Sequence, residues 1–224
     1  MKIGALTFVL LLTMTLGVSH AAPPPTELVI DNFPGDSSVE KTPLTNGSVI
    51  IRRASDPANI IGGARETEFQ AVPLPGDYAR ATTFEIPDTG LMFVESGVRS
   101  SVRVVNFYGE DINGNANPLN LQLQALGYDR FRIEFDSSDV ELDYLIEVFD
   151  AQGNLALLNG VDSTADRGSA FNADFPFANF VNGGPVPVDW NHIDGILVLF
   201  QTGNAAGSQD FAVKRIVALP PPPQ

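Results

Sequence analysis

The stretch Glu141-Leu142-Asp143-Tyr144-Leu145-Ile146-Glu147 places three carboxylates at odd-numbered positions of one apolar-rich run. In a strand, successive side chains leave on opposite faces, so Glu141, Asp143 and Glu147 would share one side. Two carboxyl groups about 5 to 5.5 Å apart can hydrolyse a glycosidic bond with retention, one as nucleophile and the other as acid/base. Glu141 and Asp143 would lie about 6.6 Å apart along a strand and approach that separation, whereas Asp143 and Glu147 would be about 13 Å apart. The same acids could instead fix the hydroxyls of a bound sugar, provided that an aromatic ring lies beside them as an apolar platform. The candidate rings are Trp190, the sole tryptophan, together with Tyr108 and Tyr128 at strand ends; Arg132 is the cation expected on the same charged face as Glu141 and Asp143. Other chemistry is closed off. The absence of cysteine removes thiolate nucleophiles and thiolate metal sites. His192 stands beside Asp194, but no G-x-S-x-G elbow supplies a serine for it to activate, and no phosphate-cradling glycine loop is present.

The elements that would carry these residues are short. Runs of about five to nine residues rich in β-formers recur at 28–32, 48–53, 64–72, 82–86, 90–95 and 100–108, each bounded by Gly, Pro, Asp or Asn. No sustained 3.6-residue periodicity interrupts them, which argues for an all-β antiparallel sandwich with little helix. Residues 128–150 are expected to form a hairpin. Phe131, Ile133 and Phe135 would share its core face with Leu142, Tyr144, Ile146 and Val148, and Arg130, Arg132, Glu134 and Asp136 its charged face. Ile196 to Phe200 is an uninterrupted apolar run, expected to be a strand covered on both faces. It and the strand that follows, to Leu219, should form the centre of the sandwich.

Residues 1–21 have the layout of a secretory leader: Lys2, an apolar run to Leu16, and a small-x-small end at Ser19-His20-Ala21. Pro-rich flanks at 22–27 and 220–224 would frame one domain over 28–219 that works as a monomer, with no membrane insertion once the leader is cut. Secretion to the periplasm or beyond, from a bacterial source, suits a domain of this size without disulfides. The net charge of −14 opposes binding to nucleic acid and leaves neutral or cationic partners, a polysaccharide or other glycan among them. In Gly109 to Asn120, Asp111, Asn113 and Asn115 fit the opening of a calcium loop, but Ala116 stands where that loop needs glycine, and an Asn/Gly-rich connection fits better.

Taken together, Ile30-Asp31-Asn32-Phe33, the segment from Gly62 to Phe69, the segment from Gly127 to Asp139 and the closing strands from Ile193 resemble the galactose-binding-domain-like jelly rolls. That resemblance implies a jelly-roll sandwich and a non-catalytic, carbohydrate-binding role. It also implies a structural calcium between the first and last strands, with Asp31 and Asp210 as its carboxylates. Separately, the run from Glu141 to Glu147 resembles the E-x-D-x-x-E signature of jelly-roll retaining glucanases, with one residue too many before the last acid. A glycoside hydrolase using Glu141 and Asp143 and a structural protein of an extracellular matrix or surface layer are the alternatives.

Overall fold

A computed structural model of the chain describes residues 26–35, 49–73, 82–87, 90–96, 100–162, 168–202 and 209–222. The leader expected at 1–21 lies outside the described residues. Thirteen strands are present among the described residues: β1 (Leu28–Asp31), β2 (Val49–Ser55), β3 (Ala64–Pro73), β4 (Thr82–Glu85), β5 (Met92–Ser96), β6 (Ser100–Tyr108) and β7 (Arg130–Ser138) in the first part of the chain. They continue with β8 (Leu142–Asp150), β9 (Leu155–Asp162), β10 (Phe171–Pro176), β11 (Val181–Asn182), β12 (Ile193–Thr202) and β13 (Gln209–Leu219). Helix is confined to two single 3-10 turns among the described residues, and none of their helices is long and apolar enough to cross a membrane.

The strands form two sheets, and every pairing is antiparallel. One runs β10-β7-β13-β5-β4, with β1 continuing along the β5 side of β13; the other runs β11-β9-β8-β12-β6-β3-β2. The architecture is a β-sandwich of jelly-roll type: the antiparallel layers follow from the short alternating runs, and the jelly-roll type is the one the resemblance implies. Inward residues of both sheets meet ring to ring. Phe200 of β12 packs against Phe135 of β7 at 6.0 Å and Phe211 of β13 at 5.9 Å, while Phe69 of β3 stacks on Phe84 of β4 at 4.9 Å. Such contacts tie the layers through dispersion and apolar burial.

Three expectations change. β12 and β13 are central, but each in its own sheet, so they face one another across the core instead of pairing. Residues 128–150 do not make a hairpin: β7 pairs with β10 and β13, and β8 pairs with β9 and β12. Alternation only requires that each strand bury one face, and two such faces can meet across a sandwich as well as side by side. The linking Asp139-Val140-Glu141 carries no Asn-Gly or Asp-Gly pair to favour a tight turn. Finally, Ile196, Val198 and Phe200 are buried, whereas Leu197 and Leu199 point outward and are only half-buried. No second layer of described residues covers that side of β12.

Candidate functional site on the outer face of the seven-stranded sheet

The register of β9, β8, β12 and β6 fixes which side chains share the outer face. One row reads Asn159, Leu145, Leu199, Val105; the next Leu157, Glu147, Leu197, Phe107; and on the other side of the first lie Asp143, Gln201 and Arg103. Neighbouring strands are about 4.8 Å apart, so directly opposed side chains touch. The result is a strip of Leu145, Leu197 and Leu199, continued to Leu157 past the half-buried Glu147 that stands between Leu157 and Leu197. At one end Phe107 and Phe149 meet edge to face at 6.4 Å, over Gly195, where a Cβ would stand 3.5 to 3.6 Å from both rings. At the other end is an open cleft of about 400 Å3, lined by Asp143, Tyr144, Leu145, Asn159, Gly160, Leu199 and Gln201.

The polar groups at this cleft are available. Asp143, Asn159 and Gln201 are exposed, and none of their side chains hydrogen-bonds another described residue. By contrast, Arg103 on the same face donates to Glu68 at 2.8 Å, and Arg53 pairs with Glu66. A carboxylate and two amides above aliphatic side chains can hold vicinal hydroxyls by accepting and donating at once. Directly across from Asp143 stand Gln201 and Val161, neither of them an acid.

Of the residues singled out in the sequence, Asp143 lies in this cleft, Glu147 shares its outer face further along β8, and the others are dispersed. Glu141 is exposed just ahead of β8, on the connection from the other sheet. Arg132 is on the opposite face of the sandwich: its Nε and one terminal nitrogen donate to the two carboxylate oxygens of Asp174 at 2.6 and 2.9 Å. The charged face shared by Arg132, Glu141 and Asp143 therefore does not form, because β7 and β8 belong to different sheets. That pairing holds Asp174 below the usual carboxylate range and raises Arg132. Beside it, Arg215 donates twice to Glu134, so the outer face of the six-stranded sheet is largely self-satisfied charge.

The three rings proposed as platforms sit elsewhere. Trp190 stacks on Phe177 at 4.1 Å and 12°, with Phe180 edge-on at 5.1 Å, closing one end of the sandwich. Tyr128 is 7% exposed and Tyr108 is 0% exposed, so neither offers a face to solvent. On the outer face of the seven-stranded sheet the rings are Phe107 and Phe149, neither of them among the candidate platforms read from the sequence. Their signal was outward parity in strands whose inward positions were already apolar.

Asp31 and Tyr108 are brought together, but in the interior. Asp31 Oδ2 accepts hydrogen bonds from Arg65 Nη1 at 2.6 Å and from the Tyr108 hydroxyl at 2.9 Å, and its Oδ1 accepts the Phe33 N–H at 2.6 Å. Arg65 Nε donates to Thr67 Oγ1, which donates in turn to Asn106. Burial pushes the Asp31 carboxyl up against the opposing pull of Arg65, and burial with the neighbouring Asp31 drives Tyr108 well above its ordinary value.

The calcium implied by the resemblance requires six to eight oxygens around one point. Asp31 pairs with Ile216 and Asp210 with Glu95, so the two lie six residues apart along β13, about 20 Å. They do not fit one ion. In the loop at 111–115, Asp111 Oδ1 instead caps the N–H groups of Asn113 and Asn115 at 2.8 and 2.9 Å. His192 Nδ1 lies 2.7 Å from Asp189 Oδ2. Among the described residues no three His, Asp or Glu side chains are gathered as a metal site would need.

No protein-family model matches the chain, and no curated protein matches it. Among solved structures it is similar to the family 11 carbohydrate-binding module of the cellulosomal cellulase Lic26A-Cel5E of Clostridium thermocellum, at 12% identity and a TM-score of 0.41 over 88% of this chain and 96% of that one. It is similar also to TmCBM61 in complex with beta-1,4-galactotriose, at 11% identity and a TM-score of 0.38, covering 86% and 99% of the two chains. An exo-beta-agarase shares 12% identity and a TM-score of 0.40 over 88% of this chain and 25% of its own. The likeness in each case is one of fold.

Proposed function

We propose that this chain is an exported, monomeric, non-catalytic module that binds a carbohydrate on the outer face of its seven-stranded sheet. The observation that carries the proposal is the adjoining of two surfaces. A half-buried strip from Phe107 and Phe149 through Leu197 and Leu199 to Leu145, bordered by Glu147, offers an apolar floor, and at its end stand Asp143, Asn159 and Gln201, whose side chains hydrogen-bond no other described residue. A sugar presents the same combination of an apolar ring face and a polar rim. The unpaired charge at the cleft is the Asp143 carboxylate, which favours neutral or cationic glycans over anionic ones.

The test is native-gel affinity electrophoresis in a panel of soluble neutral polysaccharides. At least one should retard the protein, and Asp143→Ala or Gln201→Ala should abolish the retardation without moving the unfolding midpoint. Unretarded migration in every gel, or undiminished retardation of both variants, overturns the proposal. The hydrolase alternative would have to recruit Glu141 as the second acid, since no acid stands across from Asp143. Incubation with the retarding polysaccharide should release no reducing sugar.

A further inference from the structure

We infer that the Arg65 guanidinium is the cation that closes the junction of the first strand with the rest of the sandwich, so that this junction holds without a divalent metal ion. β1 is four residues long and lies against β13. Asp31, its last residue, turns inward and is 0% exposed. A carboxylate removed from water requires an opposite charge and hydrogen-bond donors close by. Arg65 of β3, itself 2% exposed, supplies the charge from the opposite sheet through a 2.6 Å contact.

The rest of the cluster is built around that guanidinium. Thr67 accepts from its Nε at 3.0 Å, the Phe33 ring lies with its centroid 5.2 Å from its carbon, and Tyr108 donates to the same carboxylate oxygen that Arg65 contacts. A metal ion bound to Asp31 would have to displace a cation already in contact with it, leaving a buried arginine unpaired. The nearby side-chain oxygens are also committed: Thr67 Oγ1 accepts from Arg65 and donates to Asn106, whose Oδ1 accepts at 2.8 Å. Phe33 adopts a left-handed backbone at φ 47°, a conformation that the Asp31 Oδ1 bond to its N–H holds in place.

Thermal unfolding of the full chain settles this, with metal content measured after dialysis. The midpoint should move by less than about 1 °C between EDTA and millimolar calcium. Asp31→Asn and Arg65→Met should each lower it by roughly 6 °C or more, because each leaves a buried partner uncompensated. The double variant should be less damaged than the sum of the two singles. Stoichiometric calcium in the dialysed protein, or a calcium-dependent rise in midpoint that Asp31→Asn removes, overturns the inference. Should either variant fail to fold, the wild-type metal content and chelator response decide it alone.

Discussion

Arg132 and Asp143 stand on opposite outer faces of the sandwich, Arg132 on β7 gripping Asp174 with two hydrogen bonds and Asp143 on β8 lying across from Gln201. Their effects must therefore separate. Arg132→Ala should cost about 1 kcal/mol or less, because the pair is partly exposed and screened, and should leave saccharide binding within twofold. Asp143→Ala should change stability by no more than about 0.5 kcal/mol and remove binding. Chemical denaturation and affinity electrophoresis on the same two variants check both halves.

Tyr144 and Gly160 are directly opposed on β8 and β9, and the Tyr144 ring occupies the space where a Cβ on Gly160 would be. Gly160 has no left-handed backbone to excuse it, so the ring is its physical reason. Gly160→Ala should displace the ring, which also packs against Phe135 and Phe175, and reshape the cleft that both residues line. We expect a loss of about 1 to 3 kcal/mol from overpacking. The same substitution made in a Tyr144→Ala background should be close to neutral. Equal cost in both backgrounds would show that the ring is not the cause.

Trp190 closes the end of the sandwich against Phe177, Phe180 and Phe131. Trp190→Ala should cost about 3 kcal/mol in urea unfolding and spare the cleft. The native emission of this single tryptophan should be blue-shifted and should move red on unfolding. Loss of binding at unchanged stability would instead make it a ligand platform.

Asp111 titrates to about 2 from the ordinary 3.8, chiefly because the Asn115 amide and the Asn115 and Asn113 N–H groups hydrogen-bond its ionised form. Since the folded value is the lower one, its contribution to holding the 111–115 loop is complete above the ordinary carboxylate range and is lost as pH falls through about 2. Carbon-detected NMR titration of the side chain should give a midpoint near 2; a midpoint near 3.8 would mean the cap is not formed.

The strand pattern was legible because alternation reports directly on which side chains are buried, and β6 runs from Ser100 to Tyr108 as its apolar residues imply. Sheet membership was not legible. The alternation of Phe131, Ile133 and Phe135 with Arg130, Arg132 and Glu134 is identical whether β7 lies beside β8 or opposite it, and that ambiguity misplaced Arg132. Asp31 and Tyr108 carried the opposite error. A polar atom at a strand end looks solvent-facing until its partner is known, and Arg65 is distant in the chain from both. The run Ile196 to Phe200 held the unused clue. A continuous apolar run in an antiparallel sheet implies either a covering layer or an apolar outer face.

The central claim is that the outer face around Asp143 takes a saccharide, and its most direct measurement is an NMR titration of the isotopically labelled chain with a panel of neutral oligosaccharides. We predict saturable amide and side-chain shifts at Asp143, Leu145, Asn159, Leu199 and Gln201, spreading toward Leu197 and Phe149 as the oligosaccharide lengthens. Shifts confined to the Arg132–Asp174 face or to the loop around Trp190, or no shifts with any member of the panel, would contradict it.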